Sequence, residues 1–118
     1  MRKMVTQIYS GTGWFSKTQV GMCEDGSIYS GYGWGKTCVG SYSDGDVYSG
    51  YGWGRTLIGS YKDGSIYSGT GWGKSLIGSY KDGCIYSGTG WFSKTQIGSY
   101  EGIDEGAAAA ALLLLLNR

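Results

Sequence analysis

One tryptophan-centred unit repeats five times along this chain, and this repeat constrains the fold more than any other feature of the sequence. The tryptophans stand at positions 14, 34, 53, 72 and 91, so the successive spacings are 20, 19, 19 and 19 residues. Each unit reads [IV]YSGxGW, then a lysine or arginine, then [VI]G, and the first four units continue to an Asp-Gly pair. The pattern predicts five copies of one structural element.

Each unit contains two short strand candidates joined by turn residues. In one copy these are Ile66-Tyr67-Ser68 and Leu76 to Tyr80. The triplet Lys81-Asp82-Gly83 then suits a three-residue hairpin loop, with glycine at the left-handed position and aspartate bonding to its own backbone. The 24 glycines and the absence of proline fit many tight turns.

The predicted loop also fixes a cross-strand register. If Lys81 to Gly83 form the loop, Gly78 lies opposite Tyr86, and a tyrosine ring covers a glycine on one face of the sheet. The other face then carries Ile77 and Ile85, and we expect that face to form the shared core.

The two ends of the repeat region are half-units that complete each other. Gln96 to Tyr100 has no following partner strand, and Val5 to Ser10 has no preceding one. Because open sheet edges favour aggregation, we expect these strands to pair and close a ring, with Gly98 beside Tyr9. The predicted fold is all-β: a closed, pseudo-five-fold, propeller- or flower-like ring of five β-hairpins over residues 1–102, with a short C-terminal α-helix within residues 103–118.

The final segment is a short helix that is apolar all round. Ala107 to Leu116 comprises five alanines and five leucines, which are strong helix formers. The run is too short for a membrane span, which needs about 20 residues. A small ring covers one side of such a helix, and the remaining leucine surface predicts a homo-oligomer. The predicted oligomerisation residues are Leu112, Leu113, Leu114, Leu115 and Leu116.

Several kinds of chemistry are disfavoured by composition. The chain has no histidine and a net charge of +1, so we expect neither imidazole chemistry nor a nucleic-acid partner. Cys23, Cys38 and Cys84 have no metal-like spacing and predict free thiols. The segment Gly31 to Thr37 resembles part of a phosphate-binding loop, but its glycine spacing is wrong.

We predict no catalytic residue, no metal, no cofactor and no enzyme activity. Because no apolar signal core follows the basic start, we expect a cytoplasmic location.

Two sets of equivalent residues could bind a ligand. The tryptophans could stack on sugar rings, although packing between neighbouring repeats is the favoured interpretation. The cations could form an anion-binding circle, although a solvated rim is favoured. The first set is Trp14, Trp34, Trp53, Trp72 and Trp91; the second is Lys17, Lys36, Arg55, Lys74 and Lys94.

The pattern IYxxxGxxxxxIGxYxDGxIY, seen from Ile66 to Tyr86, resembles the bacterial β-flower domains of the four-fold β-flower family. The glycine-acidic segment before the alanine-leucine run is also similar. The resemblance implies a ring of hairpins followed by a C-terminal helix, and it implies no catalytic residue because that family has no established activity. Five repeats rather than four distinguish this chain. The segment DGSIYSG gives a weaker likeness to MORN repeats.

These observations favour a non-enzymatic, self-associating structural or interaction module. The alternative is a multivalent, lectin-like carbohydrate-binding protein that uses the repeated tryptophan, tyrosine and aspartate residues. Tryptophan exposure distinguishes the two, since a sugar platform requires exposed indoles.

Overall fold

Ten antiparallel strands carry the repeat. The computed structural model describes residues 5–50, 52–89 and 94–116, except for the side chains of residues 14 and 15. Within these ranges the strands are β1 (Val5–Ser10), β2 (Thr18–Glu24), β3 (Ser27–Ser30), β4 (Thr37–Ser43), β5 (Asp46–Ser49), β6 (Thr56–Lys62), β7 (Ser65–Ser68), β8 (Ser75–Lys81), β9 (Cys84–Ser87) and β10 (Thr95–Glu101).

The strands form a closed barrel in which every strand pairs with its neighbours in sequence. Closure joins β1 to β10, so the predicted pairing of the two terminal strands is confirmed. The register differs by one residue from the prediction, because Gly98 pairs with Ser10 and Tyr9 pairs with Ser99. Closure leaves no unpaired edge among these strands.

The hairpin loops contain two residues rather than the predicted three. Asp82 and Gly83 both have positive φ, 51° and 84°, which is the signature of a type I′ turn. Lys81 therefore pairs with Cys84, and Tyr86 lies opposite Ser79 instead of Gly78. Because a slip of one residue moves side chains to the other face, the predicted face of tyrosines over glycines is wrong.

The interior of the barrel is lined by one aliphatic residue from each odd-numbered strand, β1, β3, β5, β7 and β9. These residues have no exposed surface: Ile8, Ile28, Val47, Ile66 and Ile85. A β-bulge interrupts the strand pairing next to each of these five residues, for example between Ile66 and Tyr67 where β7 pairs with β8. The bulge leaves Ile77 without a partner residue in β7 and half-buried against the core, so Ile77 is a secondary core residue.

The C-terminal helix lies inside the barrel and fills it. A four-residue helix, α1 (Gly13–Ser16), follows β1, and helix α2 (Glu105–Ala111) follows β10. Helix α2 continues as a π-helical turn, Leu112–Leu116, and we call α2 and this turn together the plug. Helix α2 contacts strands all round the barrel, and Ala107 to Ala111 are at most 1% exposed. Alanine suits this position because its small side chain lets the helix approach the aliphatic lining closely.

Each leucine of the plug contacts a different glycine of the barrel wall. The pairs are Leu112 with Gly98, Leu113 with Gly78, Leu114 with Gly59, Leu115 with Gly40 and Leu116 with Gly21. Five positions around a barrel lie about 72° apart, whereas an α-helix of about 3.6 residues per turn advances about 100° per residue. The wider π-helical turn brings successive leucines closer to this spacing.

The expectation of a leucine surface that needs a second copy to cover it is therefore wrong. Leu112 is buried, and Leu113 to Leu116 are half-buried against the wall. The homo-oligomer stays a prediction, but an exposed leucine surface no longer supports it. Within the described residues, neither α2 nor any other helix has the length and apolarity to span a bilayer.

A methyl group added to a wall glycine tests the leucine contacts. An added Cβ on Gly59 would meet the Tyr67 carbonyl oxygen and lie 2.6 Å from the Leu114 Cδ1 atom. We expect Gly59→Ala to lower the free energy of unfolding by about 1–3 kcal/mol, measured by urea denaturation. The control is Gly54→Ala, because a Cβ there has nothing within 4 Å. Equal stability of the two variants would contradict the close-packed interior.

Candidate ligand-binding rim

The described tryptophans, at positions 14, 34, 53 and 72, lie on the connections at one end of the barrel, which we call the rim. The first connection forms a four-residue helix, α1 (Gly13–Ser16), and the next three form 3₁₀ turns (Gly33–Gly35, Gly52–Gly54 and Gly71–Gly73). In each 3₁₀ turn the tryptophan is the central residue. The Asp-Gly hairpins lie at the opposite end, which we call the turn end.

Glycine shapes these connections. In the connection after β7, Gly69 and Gly71 have φ values of 88° and 54°, which side-chain-bearing residues rarely adopt. A Cβ on Gly69 would also lie 3.3 Å from the Gly73 carbonyl oxygen, so the tight turn requires glycine there. The backbone therefore turns back sharply and presents Trp72 at its tip.

The described tryptophan side chains are fully exposed. Trp34, Trp53 and Trp72 have relative exposures of 106%, 105% and 104%. The expectation that tryptophans pack between neighbouring repeats is wrong for these three, because each stands on a protruding turn. The side chain of Trp14 and all of Trp91 lie outside the described residues.

This exposure is a feature that the fold does not explain. An aromatic side chain buries about 150–250 Å² when it is packed, and apolar area contributes roughly 25 cal/mol per Å². The barrel gains none of this stabilisation from the three described indoles, because its interior is already filled by the plug. We therefore treat the exposed tryptophans as candidate contact points for a ligand.

The five predicted cations do not project freely into solvent; each lies over a tyrosine ring of the outer wall. The distances to the ring centroids are 4.6 Å for Lys17 over Tyr9, 4.5 Å for Lys36 over Tyr29, 3.9 Å for Arg55 over Tyr48, 4.7 Å for Lys74 over Tyr67 and 4.7 Å for Lys94 over Tyr86. These are cation–π contacts, and they fix each charge close to the wall beneath a rim connection.

Sequence reasoning missed the tyrosines as partners of the cations. A signal was present, because a tyrosine precedes each cation by seven or eight residues in all five units. This signal was not used, because the predicted register placed each tyrosine ring over a glycine of the neighbouring strand. The structure places the described members of both predicted sets around the barrel rather than in one central cleft, so they form repeated, separate sites.

A second polar cluster surrounds the start of the plug at the turn end. The Tyr42 hydroxyl donates to Asp104 Oδ2 at 2.7 Å, and the Asp104 backbone N–H donates to Thr6 Oγ1 at 2.9 Å. Burial, then the hydrogen bond to Asp104, raises the pKa of Tyr42. Burial, then the charge of Asp104, raises the pKa of Tyr61 to about 12. These groups anchor the plug and are remote from the rim.

Cys23 is a buried, unreactive thiol beside the second cluster. All three cysteines are free thiols, and burial, then the charge of Asp104, raises the pKa of Cys23 and keeps it protonated. In residues 5–50, 52–89 and 94–116, no group of three or more metal-ligating side chains converges on one point.

Comparison of the chain with protein-family models, curated proteins and solved structures finds no match. The likeness to β-flower domains and MORN repeats therefore stays an expectation from sequence.

The raised pKa of Tyr61 predicts a loss of stability in alkali. Between pH 10, the ordinary pKa of tyrosine, and pH 12, the folded protein retains a proton that the unfolded chain releases. The stabilisation is fully present below about pH 10 and is lost as the pH rises towards 12. We expect Tyr61→Phe to reduce the fall in urea midpoint across this window. Tyr32→Phe, on the exposed rim, is the control, and identical pH profiles for wild type and Tyr61→Phe would refute the prediction.

Proposed function

We propose that this protein is a non-enzymatic, multivalent binding module that holds glycans on the tryptophan side chains of its rim. The observation that carries the proposal is the full exposure of Trp34, Trp53 and Trp72 on glycine-shaped turns. This exposure favours the lectin-like alternative over a structural module whose tryptophans pack between neighbouring repeats. The proposal includes a pseudo-five-fold ring of the β-flower kind, in which every unit offers one platform.

The isolation of the indoles favours a glycan over a protein partner. Protein interfaces use contiguous patches with a well-packed centre. Here each described indole is exposed over its whole surface, so no neighbouring group of the chain covers part of it. A flat aromatic face suits the apolar C–H face of a sugar ring, and the indole N–H can bond to a hydroxyl group.

Repetition around the rim favours an extended ligand with repeated residues. A weak contact at one tryptophan becomes stronger when a second and third site engage the same chain, because later contacts are intramolecular. A polysaccharide supplies such equivalent groups at regular intervals. Affinity for a long oligosaccharide should therefore exceed affinity for its monosaccharide.

The direct test is the triple variant Trp34→Ala, Trp53→Ala, Trp72→Ala in the full chain, measured by calorimetric titration with neutral and acidic oligosaccharides. We expect affinity for both classes to fall by more than about tenfold, since avidity alone can contribute 10²–10⁴. The urea midpoint should change little, because exposed substitutions usually alter stability by under about 0.5 kcal/mol.

A matched control is Ile103→Ala, which removes an exposed apolar side chain at the turn end and should leave binding unchanged. Wild-type affinity in the triple variant would refute the tryptophan platform. Failure of the wild type to bind any oligosaccharide would refute the glycan itself, and binding to lipid vesicles instead would assign the rim to a membrane surface.

A further inference from the structure

Two of the five stacked cations already hold a carboxylate of the chain. Lys36 Nζ lies 3.4 Å from Glu24 Oε1, and Lys17 Nζ lies 3.4 Å from Glu101 Oε2. In both cases the same ammonium group lies over its tyrosine ring. The tyrosine–lysine arrangement on the outer wall is therefore geometrically able to hold a carboxylate.

The other units lack this internal carboxylate. Glu24 and Glu101 are the last residues of β2 and β10, and the equivalent last residues of β6 and β8 are Lys62 and Lys81. Lys74 and Lys94 thus have a lysine at the place where Lys36 and Lys17 have a glutamate. In the part of the chain that the structure describes, neither Lys74 nor Lys94 has a carboxylate oxygen within 4.0 Å.

The wall beside Lys74 is open and large enough for a ligand. A cavity of about 450 Å³ is lined by Lys62, Lys74, Tyr67 and Ser60, with Asp44 and Asp46 at the same groove. This volume lies within the range of about 300–1,000 Å³ that is usual for small-molecule sites. A neighbouring groove of about 220 Å³ is lined by residues that include Lys94, Ser65 and Ser79.

The mixture of charges specifies the ligand. Lys62 and Lys74 favour an anion, while Asp44 and Asp46 repel a simple anion but accept hydrogen bonds from hydroxyl groups. A uronic acid residue satisfies both requirements, because one ring carries a carboxylate and several hydroxyl groups. Inorganic sulfate would supply only the negative charge, because it has no hydroxyl group to donate to the carboxylates.

We propose that the groove at Lys62 and Lys74, and the neighbouring groove at Lys94, bind the carboxylates of an acidic oligosaccharide. The internal carboxylates of Glu24 and Glu101 show the arrangement that the external group would adopt. This inference rests on the proposed function, since the same oligosaccharide contacts the rim tryptophans. It adds that units with a lysine pair select acidic sugar residues, whereas units with an internal glutamate do not.

The test compares a uronic acid oligosaccharide with its carboxyl-reduced, neutral counterpart. Calorimetric titration of the full chain at low salt should show about five- to tenfold tighter binding of the acidic form, as expected for a few exposed ion pairs. The preference should weaken as salt is raised, because exposed charges are screened.

Lys62→Glu is the decisive variant, because it recreates the arrangement of Lys36 and Glu24 and fills the groove with the chain's own carboxylate. We expect it to reduce the preference for the acidic form, because the affinity for the acidic form should fall more than the affinity for the neutral form. Lys62→Gln and Ile103→Glu each lower the net charge by one unit, so they form a matched pair. The first should weaken acidic binding about twofold or more, and the second should not.

The outcomes separate the two proposals. The anionic grooves would be overturned if the wild type bound both forms equally, or if Lys62→Glu kept the full preference for the acidic form. In either case, tryptophan-dependent binding of the neutral form would still support the glycan platform. Binding of neither form would overturn both. Glu101→Lys gives a converse check, since replacing the internal carboxylate should increase acidic affinity.

Discussion

The packing of one leucine against one wall glycine, repeated five times, is the contact on which the rest of the structure depends. A larger residue at any of these glycines would collide with both a leucine and the neighbouring strand. A smaller residue in the plug would leave the interior hollow. The repeat and the final leucine run are therefore parts of one core, although they are far apart in sequence and differ completely in composition.

Because the plug fills the interior, the side chains on the outer surface of the barrel are not needed to form the core. Because the plug packs against the aliphatic lining, the barrel does not need Trp34, Trp53 and Trp72 for stability, and these three stand exposed on the rim. The cations are held close to the wall by tyrosine rings, so their positions are defined even though they are near solvent. The residues that stabilise the barrel and those that we propose to bind a ligand thus lie on separate surfaces of the same repeat.

The sequence predicted the strands and the closure of the barrel, because both follow from the repeat and from the half-units at its ends. It did not predict the register, since Asp82-Gly83 suits a two-residue turn as well as a three-residue loop, and one residue exchanges the two faces. The position of the plug was also missed. The match between Leu112 to Leu116 and five glycines appears only once Gly98 and the other four are known to face inward. In the candidate site, the tryptophan and cation positions followed from the repeat. The stacking of the cations on tyrosine rings could not be predicted without knowing on which face of the sheet the tyrosines lie.

The central claim is that the rim binds a ligand while the plugged interior remains unchanged. Heteronuclear NMR titration with the uronic acid oligosaccharide tests it most directly, by following the indole N–H signals of Trp34, Trp53 and Trp72 together with the backbone amides of Ala107 to Leu112. The account predicts saturable shifts of the indole signals and constant plug amides. Static indole signals, or shifts concentrated in the plug, would contradict it.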